Sequence, residues 1–129
     1  MAGIRQDDNW DNLIWLHIEK SESWVDYNRV LEDLALYAAK AQTTLYVIVQ
    51  PEHDIPSGNP LPHMRRFTDI VKREGRIRKA FVVLPRTLPM ATAFVRVGQR
   101  VFGFGDAIQL VASTEDALAA FREAVGHLA

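Results

Sequence analysis

One stretch near the end of the chain sets the class of structure, and it reads Ile108-Gln109-Leu110-Val111-Ala112-Ser113-Thr114-Glu115-Asp116-Ala117-Leu118. A short apolar run passes directly into a serine and an acidic first turn, which is typical of a strand followed by a capped helix. Three further apolar runs alternate with amphipathic stretches earlier in the chain. Extended runs separated by helices usually lie parallel in one sheet, so the sequence predicts an α/β domain.

The same patterns place the other elements. The predicted strands are Leu13–Ile18, Leu45–Val49, Ala80–Leu84 and Ala107–Val111, with a short extra edge strand near Ile4–Gln6. Helices are predicted over Ser23–Ala41, from Met64 to a left-handed cap at Gly75, from Thr87 onward, and from Thr114 onward. We therefore expect a mostly parallel or mixed sheet of four to five strands with about four helices. The third helix is expected to place its apolar residues around one side, namely Met90, Phe94, Val97, Gly98, Val101 and Phe102.

Length and composition narrow the class of protein. The chain has 129 residues, 48% hydrophobic and 24% charged, which predicts one globular domain over residues 1–129. With no cysteine, disulfides, thiolate metal sites and cysteine nucleophiles are excluded. The polar start of the chain, Met1 to Trp10, is unlike a secretory signal, and no apolar run is long enough for a membrane span. A cytoplasmic protein without membrane contact is the expectation.

The small net charge of −1 conceals an asymmetry between the two halves of the chain. Residues 1–62 hold 4 Lys/Arg and 10 Asp/Glu, whereas residues 63–129 hold 11 and 6. One interpretation is a positive surface for an anionic ligand or an acidic partner, and the other is that these cations solvate outer helix faces. The basic residues are spread over several elements and lack the aromatic interleaving expected of a single-strand binder, so no nucleic-acid binding is expected. The asymmetry also allows self-association into a homodimer.

Residues 51–62 form the candidate recognition segment, because they hold four of the six prolines and are predicted to be a loop. A metal site at Glu52, His53, Asp54 and His63 is the less favoured reading, since the spacing is not rigid. Ser57 lacks the strand-borne Gly-x-Ser-x-Gly turn of a hydrolase. We therefore expect no enzyme activity, no metal and no cofactor. Arg86, just past the third strand, could bind an anion in a pocket beside the loop.

The order of elements, together with Ser113, Glu115, Ala117 and Leu118 in a Ser-x-Glu-x-Ala-Leu phrase, resembles the STAS domain. This module is shared by sulfate transporters and by anti-sigma factor antagonists of the SpoIIAA type, and the resemblance spans nearly the whole chain. In those antagonists an Asp-Ser-Ser/Thr-Gly turn carries a hydroxyl that a partner kinase phosphorylates. Ser57-Gly58 matches the last two positions of that turn, while Gln50 ends the strand where the family has Asp.

The resemblance implies a bacterial-type regulatory module that docks a protein partner, such as a kinase-like anti-sigma factor, through residues 51–62 and the helix that follows. Ser57 is then the candidate phosphorylation switch. The other expected partner-binding residues are Asp54, Gly58, Asn59 and Arg65. The alternative is a small-ligand or lipid-binding domain of the same fold, with a pocket between the loop, Arg86 and the third helix.

Overall fold

The apolar runs form one sheet in the computed structural model, which describes residues 3–18, 24–51, 60–84 and 87–126. Five strands and four helices follow one another in this part of the chain. Their bounds in chain order are β1 Gly3–Gln6, β2 Leu13–Ile18, α1 Trp24–Lys40, β3 Leu45–Pro51, α2 Leu61–Arg73, β4 Ile77–Val83, α3 Pro89–Phe102, β5 Ile108–Val111 and α4 Thr114–Gly126. The predicted α/β class is confirmed, and so is the short extra strand at the start of the chain.

The strands lie in the sheet in the order in which they occur in the sequence, from β1 to β5. β1 runs antiparallel to β2, and β2, β3, β4 and β5 are mutually parallel. The sheet is therefore mixed. Because parallel strands all point one way, the carboxyl ends of β2 to β5 meet at a single edge, where α/β domains commonly hold ligands.

Alternation along the strands gives the sheet two apolar faces, each covered by helices. The first face packs against α1, α2 and the residues around Phe104, and its strand residues are Ile14, Leu16, Val47, Val49, Ala80 and Val82. The second face packs against Ala117 and Phe121 of α4, and its strand residues are Leu13, Trp15, Tyr46, Ile48, Phe81 and Val83. Right-handed crossovers between successive strands place α1, α2 and α3 together on the first face.

Two helix ends follow the sequence prediction closely. The backbone N–H of Asp116 donates to Oγ of Ser113 at 3.1 Å, so the serine caps α4 as predicted. Gly103 ends α3 in the left-handed conformation, with φ of 63°. Glycine accepts this conformation without the steric cost that a Cβ atom would bring.

Two predictions about α2 and its surroundings are wrong. Gly75 is not a left-handed cap, because α2 ends at Arg73 and Glu74 leaves in an extended conformation after its N–H donates to the Ile70 carbonyl at 3.0 Å. The irregular segment is also shorter than residues 51–62, since Pro51 belongs to β3 and α2 begins at Leu61. A proline in the first helical turn lacks only an N–H that would have had no helical partner.

Candidate functional site

Most of the residues predicted to form the site lie outside the described part of the chain. These are Asp54, Ser57, Gly58, Asn59 and Arg86, together with Glu52 and His53 of the alternative metal site. Arg65 is described, and its side chain is exposed on α2. The surroundings of Ser57 therefore stay a prediction.

The outer side of α3 carries an apolar stripe. Met90 is 53% exposed, Val97 is 44% exposed and Val101 is 62% exposed, while Phe94 is half-buried. Positions 90, 94, 97 and 101 are spaced by three or four residues, so their side chains line up along one side of the helix. Large apolar side chains that stay in water on one helix face are typical of a binding surface.

Small residues on the inner side of α3 explain why the larger ones remain outside. Ala91 and Gly98 are the buried residues of the helix. A Cβ atom placed on Gly98 would lie 3.1 Å from Sδ of Met64 in α2, so only glycine allows this close approach without a shift of the methionine. The helix thus packs through its smallest side chains and leaves the apolar stripe in solvent.

Cations border the apolar stripe on both helices. Arg65 and Lys72 are two helical turns apart and share one face of α2. Lys72 Nζ donates to the carbonyls of Phe102 and Gly103, so this face of α2 lies beside the end of α3. Arg100 is exposed next to Val101.

We call this region the α2–α3 surface, and define it as Arg65, Lys72, Met90, Phe94, Val97, Arg100 and Val101. The two helices together hold six Lys/Arg and one acidic residue, Asp69. One of the six, Arg66, pairs with Glu32 of α1 at 3.1 Å. Asp69 lies four residues after Arg65 and three before Lys72, on the same face of α2. The surface is therefore apolar along its centre, and its border carries three cations and one carboxylate.

A separate apolar cavity of about 80 Å³ lies beneath the same helices, at the carboxyl ends of β3 and β4. Every described residue that lines it is uncharged. The lining comes from α1, α2, α3 and the two strands, and it includes Trp24, Tyr27, Met64, Phe67, Ala91 and Val95. Sequence reasoning placed a pocket near the third helix but did not identify the contributions of α1.

An aromatic cluster joins α1 to α2 beside this cavity. The rings of Trp24 and His63 are stacked, with centroids 4.3 Å apart and planes 6° apart. Tyr27 meets both rings edge to face. Nδ1 of His63 is 3.2 Å from Oδ1 of Asn28. Burial, and then the nearby charge of Arg66, lowers the pKa of His63, so the neutral imidazole is favoured.

The Tyr27 hydroxyl is a polar group in apolar surroundings. Burial raises the pKa of Tyr27, which keeps the phenol neutral. Its hydroxyl makes no hydrogen bond to any residue that the structure describes. A neutral phenol of this kind can donate one hydrogen bond and accept another.

The second sheet face carries polar side chains at the same carboxyl edge. Gln50 Nε2 donates to Oγ1 of Thr114 at 3.0 Å, and His17 lies opposite Gln50 in the strand pairing. His17 is half-buried, and its ring stacks on Trp15 at 6.2 Å. Across the described ranges, no three His, Cys, Asp or Glu side chains lie where they could hold a metal ion. The bond between Gln50 and Thr114 links β3 to the first residue of α4.

Comparison of the chain with models of protein families, with curated proteins and with solved structures finds no match. The resemblance to the STAS domain accordingly stays a prediction from the sequence. None of the helices in the described ranges has both the length and the apolar character required to traverse a bilayer.

Proposed function

We propose that this chain is a non-enzymatic regulatory module that binds an acidic, amphipathic helix of a protein partner on the α2–α3 surface. The observation that carries the proposal is the exposed apolar stripe of α3 with its positive border. Arg65 keeps its expected partner-binding role. The apolar contacts to the partner lie on α3, which is the second helix after the predicted loop.

The shape of the surface favours a helix as the occupant. From Met90 to Val101 the stripe is about 16 Å long at the helical rise, which is close to three turns. Side chains spaced by three and four residues form a ridge that fits the groove of a second helix. An amphipathic partner helix would bury its apolar side on this stripe, as in other helix-in-groove complexes.

The charges favour an acidic partner over a second copy of the chain. In a two-fold dimer through this surface, the same patch would face itself, so Arg65, Lys72 and Arg100 would approach the cations of the second copy. Like charges in close contact oppose association. Carboxylates along the edge of a partner helix would instead pair with these cations and speed the encounter.

An anionic membrane would attract the same cations. Helices that bind membranes usually present a wide apolar face that sinks into the headgroup region. The stripe on α3 is one side chain wide and is bordered directly by Arg100. A protein helix therefore matches the surface better than a lipid layer does.

Regulation by phosphorylation at Ser57 is part of the proposal. Ser57 precedes Leu61, the first residue of α2, by four positions, so it is within about 14 Å of that residue even in a fully extended chain. A phosphate there would add close to two negative charges beside a positive surface. It would compete with the acidic partner and weaken binding, and a kinase-like anti-sigma factor is the partner class that the STAS resemblance implies.

A direct test uses a synthetic helical peptide of about 15 residues, with leucines along one side and glutamates elsewhere. We expect the purified protein to bind it, with an affinity that falls as salt is added. A Val97→Glu, Val101→Glu double variant is expected to weaken binding about tenfold or more, because it places carboxylates on the stripe. The control is Leu36→Glu on α1, where the side chain is 58% exposed and far from the stripe in sequence; it should bind as the wild type does.

Three results would overturn the proposal. One is equal binding of the acidic peptide and of a peptide with lysines in place of the glutamates. A second is self-association in light scattering that the double variant abolishes, which would assign the stripe to a homodimer. A third is binding to phosphatidylglycerol vesicles that the same variant abolishes, which would assign it to a membrane.

A further inference from the structure

We propose that the apolar cavity between α1, α2 and α3 is a binding site for a small uncharged molecule whose apolar part is no larger than one ring and whose single polar atom hydrogen-bonds to Tyr27. This site is distinct from the α2–α3 surface, because its lining residues lie on the inner sides of the helices. Ala91 and Val95 line the cavity, whereas the stripe residues Val97 and Val101 do not.

The size of the cavity limits what it can hold. A volume of about 80 Å³ is well above the space needed for one water molecule but below that of most ligand pockets, which are about 300–1,000 Å³. A lipid chain does not fit this space. Apolar protein cavities that enclose benzene have about 150 Å³, roughly twice this volume. The cavity is partly open to solvent, so it can hold a short branched group or take in part of a single ring.

The lining sets the chemical character of the ligand. None of the described lining residues is charged, and among them an ion would lose its hydration without compensation. Trp24, Tyr27, Phe67 and Phe104 supply aromatic surface, which favours ring edges and faces as contacts. An uncharged aromatic or alicyclic molecule meets both conditions.

Tyr27 gives the cavity a hydrogen-bonding group. Among the described lining residues it is the one with a hydroxyl, and that hydroxyl bonds to no described residue. A ligand with one donor or acceptor atom could therefore hydrogen-bond to it. Trp24 also lines the cavity and has an indole N–H, but Trp24 makes further contacts of its own.

The experiment uses phenol as the probe and benzene as its match without the hydroxyl. Methyl signals of Ala91 and Val95 are followed by nuclear magnetic resonance while each compound is added to the full chain. We expect saturable shifts at these methyl groups with both compounds, and tighter binding of phenol by about threefold to tenfold, as one added hydrogen bond predicts. Shifts that do not saturate, or that spread evenly over the surface, would overturn the proposal.

Two variants sharpen the result. Tyr27→Phe removes the hydroxyl alone and should bring the affinity for phenol down to that for benzene. Tyr37→Phe on the same helix is the matched control, because the Tyr37 hydroxyl donates to Gln6 Oε1 at 3.3 Å and does not line the cavity. It should leave the preference for phenol intact. Loss of the preference in both variants, or in neither, would contradict the assigned role of Tyr27.

Ala91→Leu fills the cavity and should abolish binding of both probes, provided that its circular dichroism spectrum matches that of the wild type. If it does not fold, Tyr27→Phe still decides the question. Binding of the acidic peptide is a separate measurement on a separate surface, so failure of one proposal is distinguishable from failure of the other.

Discussion

His63 lies flat against Trp24, with the two ring centroids 4.3 Å apart and the planes within 6° of each other. The pair joins the first residue of α1 to the first turn of α2. It stands next to the apolar cavity, which Trp24 lines. The ionisation of His63 therefore acts beside the cavity.

Stability should depend on pH through His63. Because burial and Arg66 lower its pKa in the folded state, the unfolded chain takes up a proton first as the pH falls below about 6.5. The contribution of His63 to stability is thus complete above that pH, and it declines as the pH drops towards the folded-state pKa. Urea unfolding between about pH 5 and about pH 8 measures this dependence.

His63→Phe is the informative variant here, since its ring can still stack on Trp24 but cannot be protonated. Its free energy of unfolding should fall less than that of the wild type between neutral and mildly acidic pH. If the free energy of unfolding depends on pH to the same extent in both proteins, protonation of His63 has no effect on stability.

The serine cap of α4 should have a measurable effect on stability. Ser113→Ala removes the acceptor of the Asp116 N–H and should lower the free energy of unfolding by about 1 kcal/mol. Ser113→Asp keeps an acceptor at the same position and serves as the control, with a change close to zero. A Ser113→Ala protein as stable as the wild type in urea would show that water replaces the cap at no cost.

Gly98 should tolerate one methyl group but not a larger side chain. In Gly98→Ala the added Cβ meets Met64 Sδ, the mobile end of a flexible side chain, while the helix gains up to about 1 kcal/mol in intrinsic propensity. We expect a change of less than about 1 kcal/mol. Gly98→Leu should cost about 1–3 kcal/mol, because Met64 and Phe102 already occupy the space around this position.

The control for Gly98→Leu is Ala93→Leu, at an exposed position of the same helix. It should change stability by less than about 0.5 kcal/mol in the same urea experiment. Equal stabilities of Gly98→Leu and the wild type would contradict the close approach of the two helices.

Much of the fold could be predicted from the sequence because each strand is a compact apolar run with a clear boundary. The run Leu13–Ile18 coincides with β2, and the serine before α4 marks the start of that helix. The secondary structure at the prolines was harder to predict. Pro51 and Pro62 are compatible with the end of a strand and the first turn of a helix, as well as with a loop.

The α2–α3 surface could not be predicted because the apolar residues of α3 extend around more of the helix than one neighbour can cover. The spacing of apolar residues places Val97 and Gly98 on the same side of α3. Packing distinguishes them: the helix approaches α2 through Gly98, and Val97 on the adjoining side remains in solvent. Arg96 and Arg100, each next to a valine, were the sequence signal that this side faces water.

Charge at Ser57 should reduce partner binding. In Ser57→Asp a single carboxylate supplies part of the charge of a phosphate, so the affinity for the acidic peptide should fall about twofold to fivefold, the range of an exposed charge interaction. Ser57→Ala should bind as the wild type does. If Ser57→Asp and Ser57→Ala bind the peptide equally well in fluorescence anisotropy, Ser57 has no part in regulating this surface.

The measurement that tests partner binding most directly is a map of backbone amide shifts in the labelled protein as the acidic peptide is added. We expect the largest changes along residues 89–102 of α3 and at Arg65 and Lys72 of α2, with little change in α4 on the opposite face of the sheet. Changes centred on α4 or on β1, with α3 unaffected, would contradict the proposal that the α2–α3 surface is where this protein meets its partner.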